Sequence, residues 1–237
     1  MNITLHKSDT RGFADHGWLK SYHTFSFAGY YNPERIHFGT LRVLNDDLVA
    51  PGMGFGTHPH ENMEIVTIPL SGMVAHKDSL GNEGIIHEGE IQVMSAGTGI
   101  YHSEYNGSKE EETSFLQIWI LPREKGLQPR YGQKSLSEKM QKDKLNELIS
   151  PSKEGEGLWL NSESWFYMGE FEKEKRITYR VNRTGNGIYI FMIKGQANIE
   201  GNHLDERDGA GVSGTGQFDL VVGENTRILL MEIPMTI

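Results

Sequence analysis

The sequence predicts an all-β protein folded as a sandwich or a barrel. Its central part consists of short apolar runs, each separated from the next by a turn signal, at residues 63–70, 85–86, 91–94 and 115–121. Short strands at this spacing are typical of β-sandwiches and barrels. The chain also contains 28 glycines in 237 residues, which agrees with many tight turns.

The first 50 residues are expected to form strands and loops that carry an aromatic cluster. Its members are Trp18, Tyr22, Phe25 and Phe27, which lie among His16 and His23. Large aromatic side chains dominate protein cores, so core packing is the favoured role, and an aromatic wall for a flat substrate is the alternative. His16 and His23 each lack a neighbour at metal-ligand spacing, and we expect them to be hydrogen-bonded or to line a pocket.

The composition of the chain changes between residues 123 and 157. Ser135 and Glu138 have the spacing of a helix capping box, which predicts a short helical segment in this linker. Residues 145–149 could continue that helix or form a strand. A strand is favoured, because the glycine-containing segment that follows it suits a hairpin with residues 158–160.

The second half of the chain repeats features of the first half. The run IYIFMIKG at residues 188–195 resembles EIVTIPLSG at residues 64–72, and a Gly-Thr-Gly sequence occurs around Thr98 and again around Thr215. Repetition of a β-unit indicates two related β-domains. We place these domains at residues 1–132 and 133–237.

The composition excludes several classes of protein. Lys and Arg number 23 against 32 for Asp and Glu, and this net charge of −9 argues against direct binding to nucleic acid or to an anionic membrane. The absence of cysteine rules out disulfides and thiolate sites, so a metal must be held by nitrogen and oxygen ligands. The sequence shows no signal-peptide core and no apolar run of membrane length, and the cytoplasm is the expected location.

Two pairs of polar residues in the segment 52–106 predict a metal site. His58 and His60 stand two apart, and so do His102 and Glu104. Residues two apart on a β-strand project from the same face, so each pair can direct two ligand atoms at one point. Three imidazoles and one carboxylate suit a divalent metal such as iron, manganese, nickel, copper or zinc.

The residues that frame these pairs make the prediction more specific than the pairs alone. Ten histidines produce roughly 0.4 H-x-H pairs by chance, so a single pair is weak. Gly52 precedes the first pair and Gly97 the second, and glycines at strand ends mark tight turns or bulges. The alternative is two half-buried strands whose polar residues alternate without a metal. The matching positions of the second half hold Val181, Arg183, Asp219 and Val221, so that copy is expected to be metal-free.

The frames G-x5-H-x-H-x3-E-x7-G at residues 52–72 and G-x5-S-A-G-x4-H-x3-N at residues 89–106 resemble the two cupin motifs, with Ser95 in place of the usual proline. More closely, the chain resembles the pirin family, and in particular its bacterial quercetin-dioxygenase-like members. The matching segments are RGFADHGWLKSYHTFSFAGYY, LRVLNDD, GFGTHPHENMEI, MSAGTGIYHSEYN and QIWILP, which together cover most of residues 11–122.

The resemblance implies a bicupin, in which two jelly-roll β-sandwiches face each other and the N-terminal one alone binds metal. It implies a ligand set of His58, His60, His102 and Glu104. Glu64, a ligand position in many other cupins, is not a ligand in pirins. Asn62 and Glu64 are instead candidates for orienting the ligands through hydrogen bonds.

The activity that the resemblance implies is 2,3-dioxygenation of flavonols such as quercetin, so the partners are a small aromatic substrate and O2. One Fe(II) ion is the expected cofactor, with Mn, Ni, Cu, Zn or Co as alternatives. Glu104 would take the proton of the flavonol 3-hydroxyl group, and Phe27 or Phe55 would pack against the rings. One alternative is a non-enzymatic, redox-sensing iron protein that docks on a protein partner, and another is turnover of a different phenol or enol. A bicupin pairs its two sheets within one chain, which favours a monomer.

Overall fold

The computed structural model describes residues 1–136, 140–154 and 157–236. These residues are almost entirely β-structure, which confirms the predicted fold class, and their helical structure is one turn at Ser8–Thr10. The strands in the first part of the chain are β1 (Asn2–His6), β2 (Gly12–Asp15), β3 (Leu19–His23), β4 (Leu41–Val49), β5 (Gly54–His60), β6 (Glu64–Ser71), β7 (Met73–Asp78), β8 (Glu83–His87), β9 (Glu90–Ser95), β10 (Ile100–Asn106), β11 (Thr113–Ile120) and β12 (Arg130–Ser135). Those in the second part are β13 (Leu145–Ser150), β14 (Leu158–Trp159), β15 (Trp165–Phe171), β16 (Lys175–Arg180), β17 (Asn186–Lys194), β18 (Ala197–Ile199), β19 (Asn202–Leu204), β20 (Gly209–Ser213), β21 (Gln217–Val222) and β22 (Thr226–Pro234). Within the described ranges, no helix is long and apolar enough to cross a membrane.

The chain divides into two compact units. One unit comprises Gly12–His37 and Leu41–Glu138, and the other comprises Met1–Arg11, Phe38–Thr40 and Lys139–Ile237. Strand β1 belongs to the second unit because it pairs along its length with β20, from Asn2 opposite Ser213 to His6 opposite Gly209. The domain boundary between residues 132 and 133 stays a sequence prediction. It assigns β1 to the first domain, whereas β1 pairs with a strand of the second unit.

The N-terminal unit is a sandwich of two antiparallel sheets. A seven-stranded sheet has the order β12-β9-β6-β11-β4-β3-β2, and a four-stranded sheet has the order β5-β10-β7-β8. Side chains from both sheets meet in one buried cluster, formed by Leu19, Val49 and Phe115 of the larger sheet with Val74 and Ile86 of the smaller. Each side chain of this kind contributes about 1.5–3 kcal/mol when it is fully buried. This cluster fixes the larger sheet over the inner face of the smaller one.

Strand β10 shows how the pattern of side chains positions the polar residues. Its burial alternates, with Ile100, His102 and Glu104 buried and Tyr101 and Tyr105 exposed. Because successive side chains of a strand point to opposite faces, the buried set projects between the two sheets. An imidazole and a carboxylate are therefore held inside the sandwich by the pleat of one strand.

The C-terminal unit has the same two-sheet construction. Its seven-stranded sheet has the order β1-β20-β17-β22-β15-β13-β14, and its four-stranded sheet has the order β16-β21-β18-β19. Apolar side chains fill its interior, among them Ile190 and Leu230 of the larger sheet and Leu220 of the smaller. The predicted second β-unit is therefore present, and apolar packing occupies its core.

The linker differs in part from the sequence prediction. The strand predicted at residues 145–149 is present as β13, but the predicted hairpin with residues 158–160 is wrong. Ile149 lies opposite Leu158 in a parallel pairing, and the antiparallel neighbour of β13 is β15. Residue 157 must be glycine for the chain to pass this close to β13. A Cβ atom at this position would lie 2.3 Å from the Leu148 carbonyl oxygen. The predicted helical segment begins at Ser135, which is instead the last residue of β12, and its continuation through residues 137–139 lies outside the described residues.

Candidate metal centre

The two polar pairs lie on neighbouring antiparallel strands. Strand β5 pairs with β10 so that His58 is opposite His102 and His60 is opposite Ile100, and the register shifts between His102 and Glu104. This pairing converts two distant sequence motifs into one site. His102 and Glu104 are buried, while His58 and His60 are half-buried at the edge of the sandwich.

Three of the four predicted ligands form one tight cluster. The candidate ligand nitrogens of His58, His60 and His102 lie within 4.8 Å of one another. The Nε2 atoms of His58 and His102 are 3.0 Å apart, and the ring centroids of His60 lie 4.8 Å from each of the other two rings. Three nitrogens that converge in this way can bind one cation together.

Glu104 belongs to a second, overlapping cluster. Its carboxylate lies with His76 and His102, again with candidate ligand atoms within 4.8 Å of one another. Glu104 accepts a hydrogen bond of 3.0 Å from Thr67 at Oε1 and one of 2.6 Å from Gln117 at Oε2. His102 belongs to both clusters, so the four predicted ligands lie next to one another in space. The Glu104 carboxylate lies on the more buried side of the site.

The electrostatics of the histidine cluster fit a bound cation. Burial and the neighbouring histidines lower the pKa of His102 to about 2 and that of His60 to about 4. Both imidazoles are therefore neutral at physiological pH and can offer a lone pair. His58 Nδ1 lies 2.8 Å from the Gly56 carbonyl oxygen, and a hydrogen bond there leaves His58 Nε2 as the free acceptor. With His58 Nε2 as acceptor, His102 Nε2–H is the donor across this 3.0 Å contact in the metal-free protein, and a cation between the two atoms would replace that proton and accept a lone pair from each.

Glu104 has an environment that raises the affinity of its carboxyl group for protons. Burial raises the pKa of Glu104 to about 7, and the hydrogen bonds from Thr67 and Gln117 oppose this rise. A cation beside the carboxylate favours the ionised form, so the buried oxygens suit a divalent ion as a partner. The imidazole and carboxylate donors are those preferred by first-row transition metals.

His76 also lies at the site, and it was not predicted from the sequence. Strand β7 places His76 opposite Glu104 and Asp78 opposite His102. Nε2 of His76 is 3.3 Å from an Asp78 oxygen, and its Nδ1 is 3.2 Å from Gln92 Nε2. The signal in the sequence was the pair His76 and Asp78, two apart on one strand, but their proximity to β10 depends on sheet pairing.

Asn62 and Glu64, the predicted orienting residues, have other contacts in the structure. Asn62 adopts a left-handed backbone conformation after β5, and its Oδ1 accepts a hydrogen bond from the Gly126 N–H. Glu64 is buried and accepts a hydrogen bond of 2.8 Å from Ser95. A role for either residue in orienting the ligands stays a prediction.

A cavity of about 550 Å³ opens beside the metal-ligand candidates, and all of its walls belong to the N-terminal unit. His58, His60 and Glu104 line one part of it, and the aromatic side chains on its walls are Phe13, Phe27, Tyr30, Phe55 and Trp119. Phe25 is packed in the core, as predicted for the cluster, whereas Phe27 belongs to an aromatic wall, the alternative role. His16 and His23 line the cavity, which confirms their predicted place in a pocket.

Comparison with known proteins agrees with this architecture. A family model described as Pirin matches residues 5–120, and one described as the quercetinase C-terminal cupin domain matches residues 147–233. A quercetin 2,3-dioxygenase of Escherichia coli K12 is 39% identical over 232 residues, which cover 98% of this chain and 99% of that relative. The chain belongs to the pirin family. A pirin-like protein of Caulobacter vibrioides is 38% identical to this pirin over 225 residues, covering 94% of this chain and 96% of the relative.

Solved structures show the same fold. The crystal structure of YhhW from E. coli superposes with a TM-score of 0.94 at 39% identity and covers 98% of each chain. The structure of the bacterial pirin YhhW in complex with nickel(II) gives a TM-score of 0.93 and covers 98% of this pirin and 99% of that chain. The relatives' names confirm the predicted class, a quercetin 2,3-dioxygenase-like oxygenase. The nickel complex and the histidine and glutamate clusters together support a divalent metal.

Proposed function

We propose that this pirin is a metal-dependent dioxygenase that acts on quercetin-like flavonols, or related phenols, with O2. The observation that carries this proposal is a cluster of three converging histidines, two of which, His58 and His60, lie with Glu104 in the wall of an aromatic-lined cavity of about 550 Å³. Cavities of roughly 300–1,000 Å³ hold small organic ligands, and a flat flavonol is of this size. The names of the relatives point to the same substrate class.

The proposed ligands of the metal, Fe(II) in this proposal, are His58, His60, His102 and Glu104. Four protein ligands leave one or two positions of a five- or six-coordinate ion open. When bound, the metal supplies Lewis-acid and redox chemistry, lowering the pKa of a hydroxyl group that it contacts and enabling reaction with O2.

Glu104 is the proposed general base. Burial raises the pKa of its carboxyl group to about 7 in the metal-free protein, and a bound cation would favour the ionised form that can take a proton. Thr67 and Gln117 hold one carboxylate oxygen each, so the carboxylate cannot rotate freely. A flavonol with its 3-hydroxyl group at the histidine cluster would transfer that proton to a Glu104 oxygen.

The aromatic side chains orient the substrate rings and exclude water. Trp119 packs edge-on against both His60 and Phe27, with ring centroids 4.8 and 5.4 Å apart. Trp18 packs edge-on against Phe55 on another part of the wall. Because each of these rings is held by a second ring, the cavity keeps its shape when it is empty, which reduces the entropy lost on binding.

The test is O2-dependent loss of quercetin absorbance by protein purified without oxygen and loaded with Fe(II). We expect turnover by the native protein and a loss of at least about 100-fold in His60→Ala, because one of the three converging imidazole ligands is removed. The control is His87→Ala, which alters an exposed histidine on β8. Bound metal with no oxygen consumption for any flavonol would contradict the dioxygenase and favour the regulatory alternative. Equal activity in His60→Ala would contradict the ligand set.

A further inference from the structure

One wall of the cavity is polar and has no part in the proposed metal chemistry. Asn45 and Asp47 stand two apart on β4, and β3 pairs with β4 so that Ser21 is opposite Asp47 and His23 is opposite Asn45. All four side chains line the cavity, and each of these residues is only 3% exposed. Four buried polar side chains on one wall of an otherwise aromatic cavity require a physical reason, because buried polar groups that lack partners destabilise a fold.

Three of the four residues form a chain of hydrogen bonds. Ser21 Oγ donates to Asp47 Oδ1, and His23 Nε2 lies 2.8 Å from Ser21 Oγ. Since the serine proton is directed at Asp47, His23 Nε2–H is the donor to Ser21. These hydrogen bonds therefore orient the Asp47 carboxyl group. They involve only its Oδ1 atom and leave Oδ2 available to a ligand.

Asn45 supplies a second acceptor on the same wall. Its Oδ1 is buried and has no hydrogen-bond partner among the residues that the structure describes. An acceptor left without a partner favours binding of a hydrogen-bond donor that enters the cavity. Because residues two apart on a strand share a face, Asn45 Oδ1 and the Asp47 carboxyl group are presented side by side.

The polar wall is connected to the proposed reaction centre by one step across the sheet. Asn45 is opposite Gln117 in the pairing of β4 with β11, and Gln117 donates to Glu104. Asp47 lies one pleat further along β4, opposite Phe115. A ligand that places one oxygen at Glu104 and the histidines would therefore place another part of its ring system beside Asn45 and Asp47.

We propose that Asn45 and Asp47 form a subsite that binds further hydroxyl groups of the substrate, away from the hydroxyl group at the metal. The inference rests on the proposed function and narrows its substrate class to phenols that carry hydroxyl donors on more than one position. Both side chains present acceptors, so a phenolic O–H fits, whereas an ether or carbonyl oxygen at the same place leaves both acceptors unpaired. Burial raises the pKa of Asp47 to about 7, and a hydrogen bond donated by a ligand hydroxyl group would favour the ionised carboxylate.

The experiment compares quercetin with 3-hydroxyflavone, which has the 3-hydroxyl group and lacks the others. Each is titrated against the metal-free protein by quenching of tryptophan fluorescence, and kcat/KM is then measured with the Fe(II) protein. We expect the native protein to prefer quercetin. The variants Asp47→Asn and Asn45→Leu should each reduce that preference by roughly 10- to 100-fold, the value of a hydrogen bond to a buried acceptor. Asn45→Leu is the second variant because the substitution is nearly isosteric and breaks no hydrogen bond that the structure shows for Asn45.

The matched control is Asp46→Asn, the same chemical change one residue along β4 on its opposite face. It should leave the preference unchanged. A preference that is equal in the native protein and both subsite variants, or a native protein that binds neither compound, would overturn the subsite. Selective binding of quercetin that depends on Asp47, without any turnover, would support the subsite and contradict the dioxygenase. Turnover that does not depend on Asn45 or Asp47 would support the dioxygenase and contradict the subsite.

Discussion

Gln117 Nε2 donates a hydrogen bond of 2.6 Å to Oε2 of Glu104. The single hydroxyl proton of Thr67 is shared between Oε1 of Glu104 at 3.0 Å and Oε1 of Gln117 at 3.2 Å. The three side chains come from three different strands, β11, β10 and β6, and all three are buried. The pairing of the strands therefore determines the orientation of Glu104, the proposed base. Replacing its amide partner, Gln117, tests how much this support matters.

Replacing Gln117 with leucine should lower both metal affinity and turnover by roughly 10- to 100-fold, because loss of a hydrogen-bond partner of a metal ligand has effects of this size. The measurement is metal content after dialysis against a weak chelator, together with kcat/KM for quercetin. Gln217→Leu is the control, since Gln217 is exposed on β21 of the other unit. Unchanged metal affinity and unchanged turnover in Gln117→Leu would show that Glu104 needs no support from the amide.

Glu104 should make a contribution to the stability of the metal-free protein that falls as the pH rises. Burial raises the pKa of Glu104 from 4.5 to about 7, so the folded chain binds this proton more tightly than the unfolded chain. This contribution is therefore complete below pH 4.5 and is lost as the pH rises through 7. Its size is on the order of 3 kcal/mol. Asp47, whose pKa is also raised to about 7, acts with the same sign, whereas His60 and His102, whose pKa values are lowered, act with the opposite sign.

Urea unfolding of the chelator-treated protein at a series of pH values measures this effect. Glu104→Gln removes the Glu104 contribution, so the unfolding free energy of the native protein relative to this variant should fall between pH 4.5 and 7. Identical pH profiles for the native protein and Glu104→Gln would contradict the raised pKa. Addition of metal should restore stability at high pH in the native protein more than in the variant, because the cation stabilises the ionised carboxylate.

Glu232 is predicted to stabilise the C-terminal unit. It is fully buried and accepts hydrogen bonds from the Tyr179 hydroxyl at 2.8 Å, from Asn186 Nδ2 at 3.0 Å and from the backbone N–H of Asn182 at 2.9 Å. Glu232→Leu leaves these donors unpaired and should lower the unfolding free energy by about 3–5 kcal/mol. Urea unfolding measures the change.

The control for that variant is Glu170→Gln, which weakens a partly exposed ion pair with Arg227. Ion pairs near the surface contribute about 1 kcal/mol or less. If Glu232→Leu were no more destabilising than Glu170→Gln, the hydrogen-bond network around Glu232 would have no special role in stability.

Local patterns were sufficient to predict part of the site. The alternation of β10 follows from its sequence, and it places His102 and Glu104 on one buried face as predicted. The all-β character of each half likewise follows from short apolar runs and turns, whereas the two sandwiches were expected from the resemblance to the pirin family. These features depend on residues that are close in the sequence, where the period of a strand determines which face a side chain occupies.

Features that depend on pairing between distant strands were not predictable. His76 approaches Glu104 because β7 pairs with β10, and Asn45 and Asp47 face the cavity beside Ser21 because β3 pairs with β4. A segment's own sequence does not specify which partner strand it will meet. The same reason accounts for β1, which joins a sheet formed about 200 residues later in the chain.

The central claim is that one divalent metal, held by the histidine cluster and Glu104, contacts the hydroxyl group of a flavonol in the adjoining cavity. The most direct measurement is an anaerobic titration of quercetin into metal-loaded and metal-free protein, followed by its absorption spectrum. Ionisation of the 3-hydroxyl group shifts the flavonol band to longer wavelength. We predict a shifted band that saturates at one equivalent of bound metal and is lost in His60→Ala. An identical spectrum with and without metal would contradict the claim.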